Sequence, residues 1–451
     1  MLSLVTVLPR IMLGAEAPVD GLALGQRLPT MSILPFALLL LAIALLPLLA
    51  NHFWEHNRNK AIVSAVVGVP MVLYIGWLDY HAVLHTLHEY VAFIILLGAL
   101  FIISGGVLVR GTLAGTAPVN TGILALGAVL ASFIGTTGAS MLLIRPLLRA
   151  NSARKNVQHI VIFFIFIVSN AGGLLTPLGD PPLFLGFLRG VPFFWTMRLW
   201  VEWATVNAVL LIVFHMIDSV LFHREDLTTP GDLDKEVEEH RVPLSVAGKR
   251  NLLFLAGVIV TIVLCGHLQP PVGVQEAGML LMAGLSLWLT PNDVRTENNF
   301  SWGPIVEVAV VFAGIFATMI PALAILNARG NELGLTSPAQ FFWATGALSS
   351  FLDNAPTYLT FAAIASGIAH TDANNLSQLV VTPSGEALLT AISAGAVFMG
   401  ANTYIGNGPN FMVKAVAESA GVKMPSFFGY MAWSGLILLP TFALVTVVFF
   451  R

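Results

Sequence analysis

Three carboxylates lie in apolar segments of this chain, where an ionised side chain is costly. Asp180 lies in the motif Thr-Pro-Leu-Gly-Asp-Pro-Pro, Asp353 in Ser-Phe-Leu-Asp-Asn-Ala-Pro, and Glu307 near the start of another apolar run. An acidic side chain at membrane depth costs about 2.5–3.5 kcal/mol on insertion scales, so each is a candidate functional group. Burial favours the protonated form of a carboxylate, whereas a neighbouring cation favours the ionised form. Such a group can therefore exchange a cation for a proton, and we take Asp353, Asp180 and Glu307 as candidate proton carriers.

Neutral oxygen atoms accompany these carboxylates at four breaks in the apolar pattern. Hydroxyls, amides and carbonyls freed at helix breaks are ligands that Na⁺ prefers, while the N-termini of half-helices suit an anion. A single hydroxyl more often bonds back to its own helix, so the clustering carries the prediction. Asp180 has an equal alternative role as the N-cap of a half-helix that begins at Pro181. The predicted ion- or substrate-binding set is Ser132, Gly135, Thr136, Thr137, Asn170, Thr176, Gly179, Asp180, Ser350, Asp353, Asn354, Thr357, Asn402, Thr403 and Asn407.

Two other groups of titratable residues have simpler interpretations. Glu307 has an alternative place at the water interface, and for Glu89 that place is favoured. His81, His85 and His88 follow helical spacing with Glu89. Three histidines at an outer membrane interface are more often solvated than metal-bound, so we expect no metal beyond Na⁺ and no other cofactor.

The composition defines the class of protein. Of 451 residues 57% are apolar and only 10% are charged, against about 25% charged in soluble proteins. Apolar stretches of about 17–25 residues recur along the whole chain, which is typical of an all-α polytopic membrane protein. The net charge of −3 argues against nucleic acid as a partner. No phosphate-binding loop or nucleophile motif is present, so the sequence does not indicate an enzyme.

The apolar segments fit about ten crossings and two re-entrant hairpins. The hairpins are expected over 117–149 and 337–369, with tips at Gly135 and Asp353. The predicted crossings are 32–51, 61–78, 88–109, 158–188 (broken), 198–222, 251–268, 275–290, 304–327, 385–420 (broken) and 427–450. The alternative is that these two stretches are two ordinary crossings, each with a Pro or Gly kink.

The chain contains an internal repeat. An offset of 218 residues carries Glu89 onto Glu307 and Ser132 onto Ser350, and an offset of 227 carries Thr176 onto Thr403. Each unit then has five crossings and one hairpin, and an odd number of crossings forces the second unit upside down. Paired Gly- and Pro-interrupted segments in two halves predict the binding site of a secondary transporter.

The predicted domains follow from the repeat and the charges. Residues 1–31 are an N-terminal segment, 32–222 the first repeat, 223–250 a polar linker loop and 251–451 the second repeat. Gly14-Ala15-Glu16-Ala17 resembles a signal-peptide cleavage site, but a charged region before it is missing, so both a cleaved and a retained segment stay open. Lys and Arg concentrate in loops on one face, which should be cytoplasmic. The basic residues are Arg58, Lys60, Arg110, Arg145, Arg149, Arg154, Lys155, Lys249, Arg250, Lys414 and Lys423.

The motifs around Asp180 and Asp353 resemble those of the ion transporter superfamily. That superfamily includes sodium/proton antiporters of the NhaD type, arsenite permeases, and citrate and dicarboxylate transporters. The pattern Gly-Gly-x-x-Thr-Pro-x-Gly-x-Pro-Pro at 172–182 is similar to the arsenite permeases and antiporters, and the Asp-Asn-x-Pro tip at 353–356 to the antiporters and nearby citrate carriers. The resemblance covers about residues 30–450. It implies a transport domain made of the hairpin tips and broken crossings, a scaffold domain that dimerises, and elevator-like alternating access.

Several functions are compatible with these features. We favour Na⁺/H⁺ antiport in the cell's inner membrane, with Na⁺ and protons as the transported ions. The alternative is a cation-coupled carrier of citrate or another carboxylate, although the Ser-Asn-Thr tips of dicarboxylate carriers are absent here. Arsenite efflux shares the broken-crossing motif. A channel would need a pore lined by polar faces, and the long apolar runs between the breaks disfavour it.

Overall fold

A computed structural model describes residues 21–54, 56–110, 114–225, 245–268, 270–298 and 300–451. Within these ranges nine helices are long and apolar enough to cross a membrane. Two further apolar helices, Arg250–Gly266 and Val274–Leu289, are shorter. The predicted class, a helical polytopic membrane protein, is confirmed.

Nineteen α-helices occur in the described part of the chain. In order they are α1 Gly21–Arg27, α2 Leu34–Leu49, α3 Asn51–Trp54, α4 Asn57–Leu78, α5 Tyr80–Gly105, α6 Ala117–Ile134, α7 Thr136–Ala150, α8 Gln158–Ile167, α9 Pro181–Leu188, α10 Trp200–Arg224, α11 Arg250–Leu268, α12 Val274–Leu289, α13 Asn292–Glu297, α14 Gly303–Arg329, α15 Pro338–Ser349, α16 Asn354–Ile368, α17 Pro383–Met399, α18 Gly408–Ser419 and α19 Phe427–Phe449. Short 3₁₀ helices cover Thr30–Ile33, Ala171–Leu175, Phe193–Leu199, Gly330–Leu333, Leu376–Gln378 and Gly400–Asn402.

The helices follow the predicted apolar segments closely. The crossing predicted at 61–78 corresponds to α4, and the one predicted at 427–450 corresponds to α19. The long helix α6 belongs to a predicted hairpin, and its 18 residues are also enough for a crossing. The two hairpins and the inversion of the repeat therefore stay predictions.

The chain breaks where the sequence predicted interruptions. Gly135 alone separates α6 from α7, with φ +81° and ψ 150°, a conformation that a residue with a Cβ adopts only under strain. Residues 350–353 separate α15 from α16. The broken crossings unwind between α8 and α9 and between α17 and α18, and prolines in the first turns of α9 and α18 lack N–H groups that a helix start leaves unused.

The broken segments are among the most buried parts of the molecule, and outer helices such as α4 lie at its edge. In Gln158–Leu175, 89% of residues are buried, compared with 22% of Asn57–Leu78. Large apolar side chains on the outer helices are exposed, for example Trp77 and Leu436. This arrangement matches a bilayer outside and a protected backbone inside.

One part of the predicted linker is structured. Strand β1 (Leu108–Arg110) pairs antiparallel with β2 (Ser245–Ala247), so residues 245–247 are not a loose loop and the described chain is not wholly helical. Short as it is, the pair satisfies backbone groups in the segment just after α5 and in the segment just before α11. Residues 226–244 of the linker and residues 1–20 lie outside the described ranges.

Basic residues that were predicted to share one face lie near this strand pair. Arg110 donates to both carboxylate oxygens of Glu297, at 2.5 and 3.0 Å, and these hydrogen bonds lower the pKa of the Glu297 carboxyl. Arg149 donates to the Val109 carbonyl and Arg145 to the Asn298 carbonyl. These contacts place part of the basic set at one end of the helix bundle.

Candidate functional site

Asp180 is the most enclosed carboxylate at the breaks. It precedes α9 as its N-cap residue and is fully buried. Its Oδ1 accepts from the Thr136 hydroxyl at 3.0 Å and from the Asn407 amide at 3.3 Å, while its Oδ2 accepts from Asn354. The donors come from both predicted tips and from the second broken segment. Side-chain hydrogen bonds to Asp180 thus join its own break to the other three.

Asp353 has a different environment. It is the N-cap residue of α16, where its Oδ1 accepts from the Ala355 N–H at 3.0 Å. Its side chain is partly exposed and lines a cavity of about 100 Å³ between the two tips. The Asp353 carboxylate can therefore accept further hydrogen bonds or bind a cation, and it faces a cavity large enough for an ion and a few waters.

The cavity beside Asp353 has one polar and one apolar side. The polar side comes from the first predicted tip and the start of α18, and it includes Thr136, Thr137 and Asn407. The apolar side comes from α5 and α14, for example Leu100 and Phe312. None of the residues lining it is a lysine or arginine, so no side chain there would neutralise a bound anion.

Four half-helices begin at this cluster. Their first residues are Thr136 (α7), Pro181 (α9), Asn354 (α16) and Gly408 (α18). A helix N-terminus carries a partial positive charge of about half an elementary charge, which stabilises a nearby carboxylate. Asp180 and Asp353 occupy two of these N-termini, while those of α7 and α18 have Gly135 and Asn407 at the N-cap and no carboxylate.

Hydroxyls bind each predicted tip to its neighbouring broken segment. The Thr176 hydroxyl donates to the Ser132 carbonyl, and the Thr403 hydroxyl donates to the Ser350 carbonyl. In return, Ser132 donates to the Gly172 carbonyl at 2.5 Å and Ser350 to the Met399 carbonyl at 3.2 Å. The same two hydrogen bonds occur at the offsets that relate the two halves. They stabilise the breaks, and a role of these hydroxyls as ion ligands stays a prediction.

The remaining predicted residues have mixed positions. Gly179 accepts from the Thr136 N–H at 2.8 Å through its carbonyl, Thr357 donates back to the Asp353 carbonyl at 2.9 Å, and Asn402 donates to the Ser350 hydroxyl at 2.9 Å. Thr357 thus makes the bond within its own helix that is common for threonine.

An asparagine network behind Asp180 was only partly predicted. Asn170 donates to Asn410 at 2.7 Å and accepts from Asn407 at 3.2 Å. Asn410 in turn donates to the carbonyls of Gly400 and Thr403. The sequence prediction omitted Asn410 and Ser169, whose carbonyl accepts from Asn407 at 3.1 Å. Asn410 follows Pro409 in the second break, and that position was the available signal.

Two acidic residues lie outside the cluster at the breaks. Glu307 does not line the cavity; its side chain is 48% exposed and pairs with Lys60 at 2.7 Å. This exposure fits its alternative place at the water interface, and its role as a proton carrier stays a prediction. Glu89 is buried instead of lying at a water interface, since Arg189 at the end of α9 binds both its oxygens at 2.9 Å.

The histidine run also has a plain environment. His85 and His88 are exposed, and His88 lies 3.8 Å from Glu276. The described residues include no group of three metal-ligating side chains that could hold a metal ion.

The cluster as a whole provides oxygen ligands and two carboxylates. The buried Oδ1 of Asn354 has no hydrogen-bond partner in the described chain. Asn354 follows Asp353 in the sequence and donates a hydrogen bond to Asp180. An orphaned buried acceptor is costly and fits a cation as its partner. The arrangement can bind a hard cation and can hold a proton at either carboxylate.

Comparison with known families places the chain among membrane transporters. A family model described as putative citrate transport matches residues 25–450, nearly the whole chain. No curated protein matches the sequence. The resemblance to the ion transporter superfamily is thereby confirmed, as is the assignment to an integral membrane transport protein. The chain belongs to this citrate-transport family.

Proposed function

We propose that this transporter exchanges Na⁺ for protons at Asp353, in a site that Asp180 holds together. The observation that supports this proposal is the cavity at the two tips. It has carboxylate, hydroxyl and amide oxygens on one side and no basic side chain among its lining residues. Asp353 lines this cavity, and Asp180 lies behind its lining residues Thr136 and Asn407, to which it is hydrogen-bonded. Both carboxylates attract a cation and repel a multiply charged anion. When the cation leaves, a proton can replace it and remove the cost of a buried charge.

The two carboxylates have separate parts in this proposal. Asp180, held by three side-chain donors, positions the tips around the ion. Asp353 faces the cavity with only one backbone donor, so it is the group that binds the ion and the proton in turn. Exchange then needs one carboxylate that changes state and one that holds the site together.

The transport cycle we propose is elevator-like alternating access between two inverted repeats. The equivalent hydrogen bonds from Thr176 and Thr403 support the repeat, and the meeting of both tips at Asp180 supports hairpins that enter from opposite faces. The helices around the breaks would move as one body against α5 and α14, whose side chains form the apolar wall. We further propose a homodimer in the inner membrane, in keeping with the resemblance.

A cation-coupled citrate carrier is the second candidate. The family description favours it, and the N-termini of α7 and α18 lack a carboxylate, so they could hold an anion. The cavity of about 100 Å³ is small beside the 300–1,000 Å³ typical of small-molecule sites, so citrate would require a more open state. Arsenite efflux has no such observation in its favour.

Proton movement in everted vesicles separates the two candidates. A fluorescent pH indicator reports the collapse of a respiration-driven proton gradient when Na⁺ is added, and then when citrate is added. Antiport predicts a response to Na⁺ alone that vesicles without the protein do not show. A response only when citrate and Na⁺ are both present would support the carrier and contradict antiport.

A further inference from the structure

A long groove lies on the outside of the helix bundle between α10 and α19. Its volume is about 1580 Å³. Val209 to Leu221 of α10 form one wall and Trp433 to Leu444 of α19 form the other, and the lining side chains along both are almost all apolar. Several of them are exposed, including Met216 and Leu436.

The apolar part of the groove has the length of one membrane leaflet. Twelve helical steps separate Val209 from Leu221, which is ~18 Å at 1.5 Å per residue. Half of a bilayer's hydrocarbon core is about 15 Å. The groove can therefore hold an acyl chain along its length.

One end of the groove is basic. Arg149, Arg154, Lys155 and Lys423 line it there, together with His159, and no carboxylate is among the lining residues. Lys155 and Lys423 are exposed and form no ion pair with any described carboxylate. Their positive charges are therefore available to a ligand.

Arg154 connects this end to a buried polar network. It pairs with Asp218 at 2.6 Å and with Glu225 at 3.3 Å, while its Nη2 is buried without a hydrogen-bond partner. His159 and Asn120 also bind Asp218, each at 2.9 Å. The network fixes the basic end rigidly and leaves one guanidinium donor unused.

We propose that this groove is a binding site for an anionic phospholipid of the leaflet at the basic end. The head-group phosphate would lie against Lys155 and Lys423 and the acyl chains along α10 and α19. Basic pockets between membrane helices on the cytoplasmic side bind such head groups. The site lies apart from Asp180 and Asp353, and it does not depend on which ion the chain transports.

Charge and shape together favour this occupant. The linker segment 232–239 is acidic, but it is mostly charged and lacks the apolar length that the groove offers. A zwitterionic lipid has the acyl chains but no net charge to match two free lysines. An anionic lipid satisfies both ends of the groove.

Native mass spectrometry of the full-length protein in detergent tests the proposal. The protein is titrated separately with phosphatidylglycerol and phosphatidylcholine of the same acyl chains. We expect one tightly bound phosphatidylglycerol and weaker phosphatidylcholine binding. In the double variant K155Q/K423Q, phosphatidylglycerol affinity should fall about 30-fold, since each basic residue contributes about fivefold near an anionic surface.

Two further variants separate this site from general charge effects. K249Q/R250Q removes two exposed charges that do not line the groove and should leave lipid binding unchanged. V213W fills the apolar wall without a charge change and should weaken both lipids. Equal affinity for the two lipids, an equal loss in the control double variant, or displacement of the lipid by a soluble peptide of residues 228–240 would overturn the proposal.

Discussion

The two halves of the molecule place their carboxylates differently in otherwise matching breaks. In the first half the tip is neutral, at Gly135 and Thr136, and the acid is Asp180 in the broken segment. In the second half the acid is Asp353 at the tip, and Asn407 takes the equivalent place in the broken segment. Each half thus contributes one carboxylate, but from opposite elements.

The difference separates support from exchange. Asp180 belongs to the first half and is fully buried. It accepts hydrogen bonds from Asn354 and Asn407 of the second half, so it connects the two halves. Asp353 has one backbone donor and faces the cavity. A hydrogen-bonded carboxylate stabilises a structure, whereas a loosely satisfied one is free to take a cation or a proton.

Replacing Asp180 should have the largest effect. In D180A, the donors of Thr136 and Asn354 lose their buried acceptor, at about 1–3 kcal/mol for each. We expect both lost transport and a clearly lower unfolding midpoint, measured by thermal denaturation in detergent. Wild-type stability in this variant would show that Asp180 does not hold the two halves together.

Replacing Asp353 should remove transport without unfolding the protein. D353N keeps the size and the oxygen that accepts from Ala355, but it removes the charge and the proton. Na⁺-dependent proton movement should fall to background, with an unfolding midpoint close to that of the wild type. The matched control is D79N, because Asp79 also caps a helix through its Oδ1, on α5, and lies outside the cavity. Normal antiport by D353N, or equal loss in D79N, would remove Asp353 from the mechanism.

The two neutral donors to Asp180 should have intermediate effects. T136V removes a hydroxyl from the first tip and N407A removes an amide from the second broken segment. A hydrogen bond to a charged group contributes about 1.5–3 kcal/mol, so apparent Na⁺ affinity should weaken about tenfold or more in T136V. The longer bond of Asn407, at 3.3 Å, predicts a smaller change in N407A. Concentration dependence of Na⁺-driven proton movement measures both; an unchanged affinity in both variants would contradict the role of Asp180 at the site.

Glu307 should matter least. In E307Q, the amide oxygen can still accept from the buried Lys60, and the cavity, which Glu307 does not line, keeps all its residues. Transport rate and Na⁺ affinity should change less than twofold in the vesicle assay. A loss of transport as severe as in D353N would support Glu307 as a proton carrier.

The sequence predicted the breaks and most of the cluster. Gly135, Pro181 and Pro409 interrupt apolar runs, and such interruptions are local properties that a single sequence displays. Asp180, Asp353, Asn354 and Asn407 lie directly beside those interruptions, so their proximity followed from the repeat. The helix bounds followed equally from apolar length.

Long-range partners were beyond the sequence. Arg189 and Glu89 are 100 residues apart, and only packing of α9 against α5 makes a buried pair of them. Glu307 is the residue that the 218-residue offset makes equivalent to Glu89, but it pairs with Lys60 from another helix. Likewise, the carbonyl partners of Ser132 and Thr403 could not be distinguished from the commoner bonds within a helix.

Calorimetric Na⁺ binding to the purified protein at two pH values, each with and without citrate, tests the central claim most directly. If Na⁺ and protons compete for Asp353, lowering the pH supplies the competitor, so Na⁺ affinity should weaken as pH falls and citrate should leave it unchanged. In a symporter, the coupling between two ligands is reciprocal, so citrate would tighten Na⁺ binding. Tightening with citrate and no dependence on pH would contradict Na⁺/H⁺ exchange at this site.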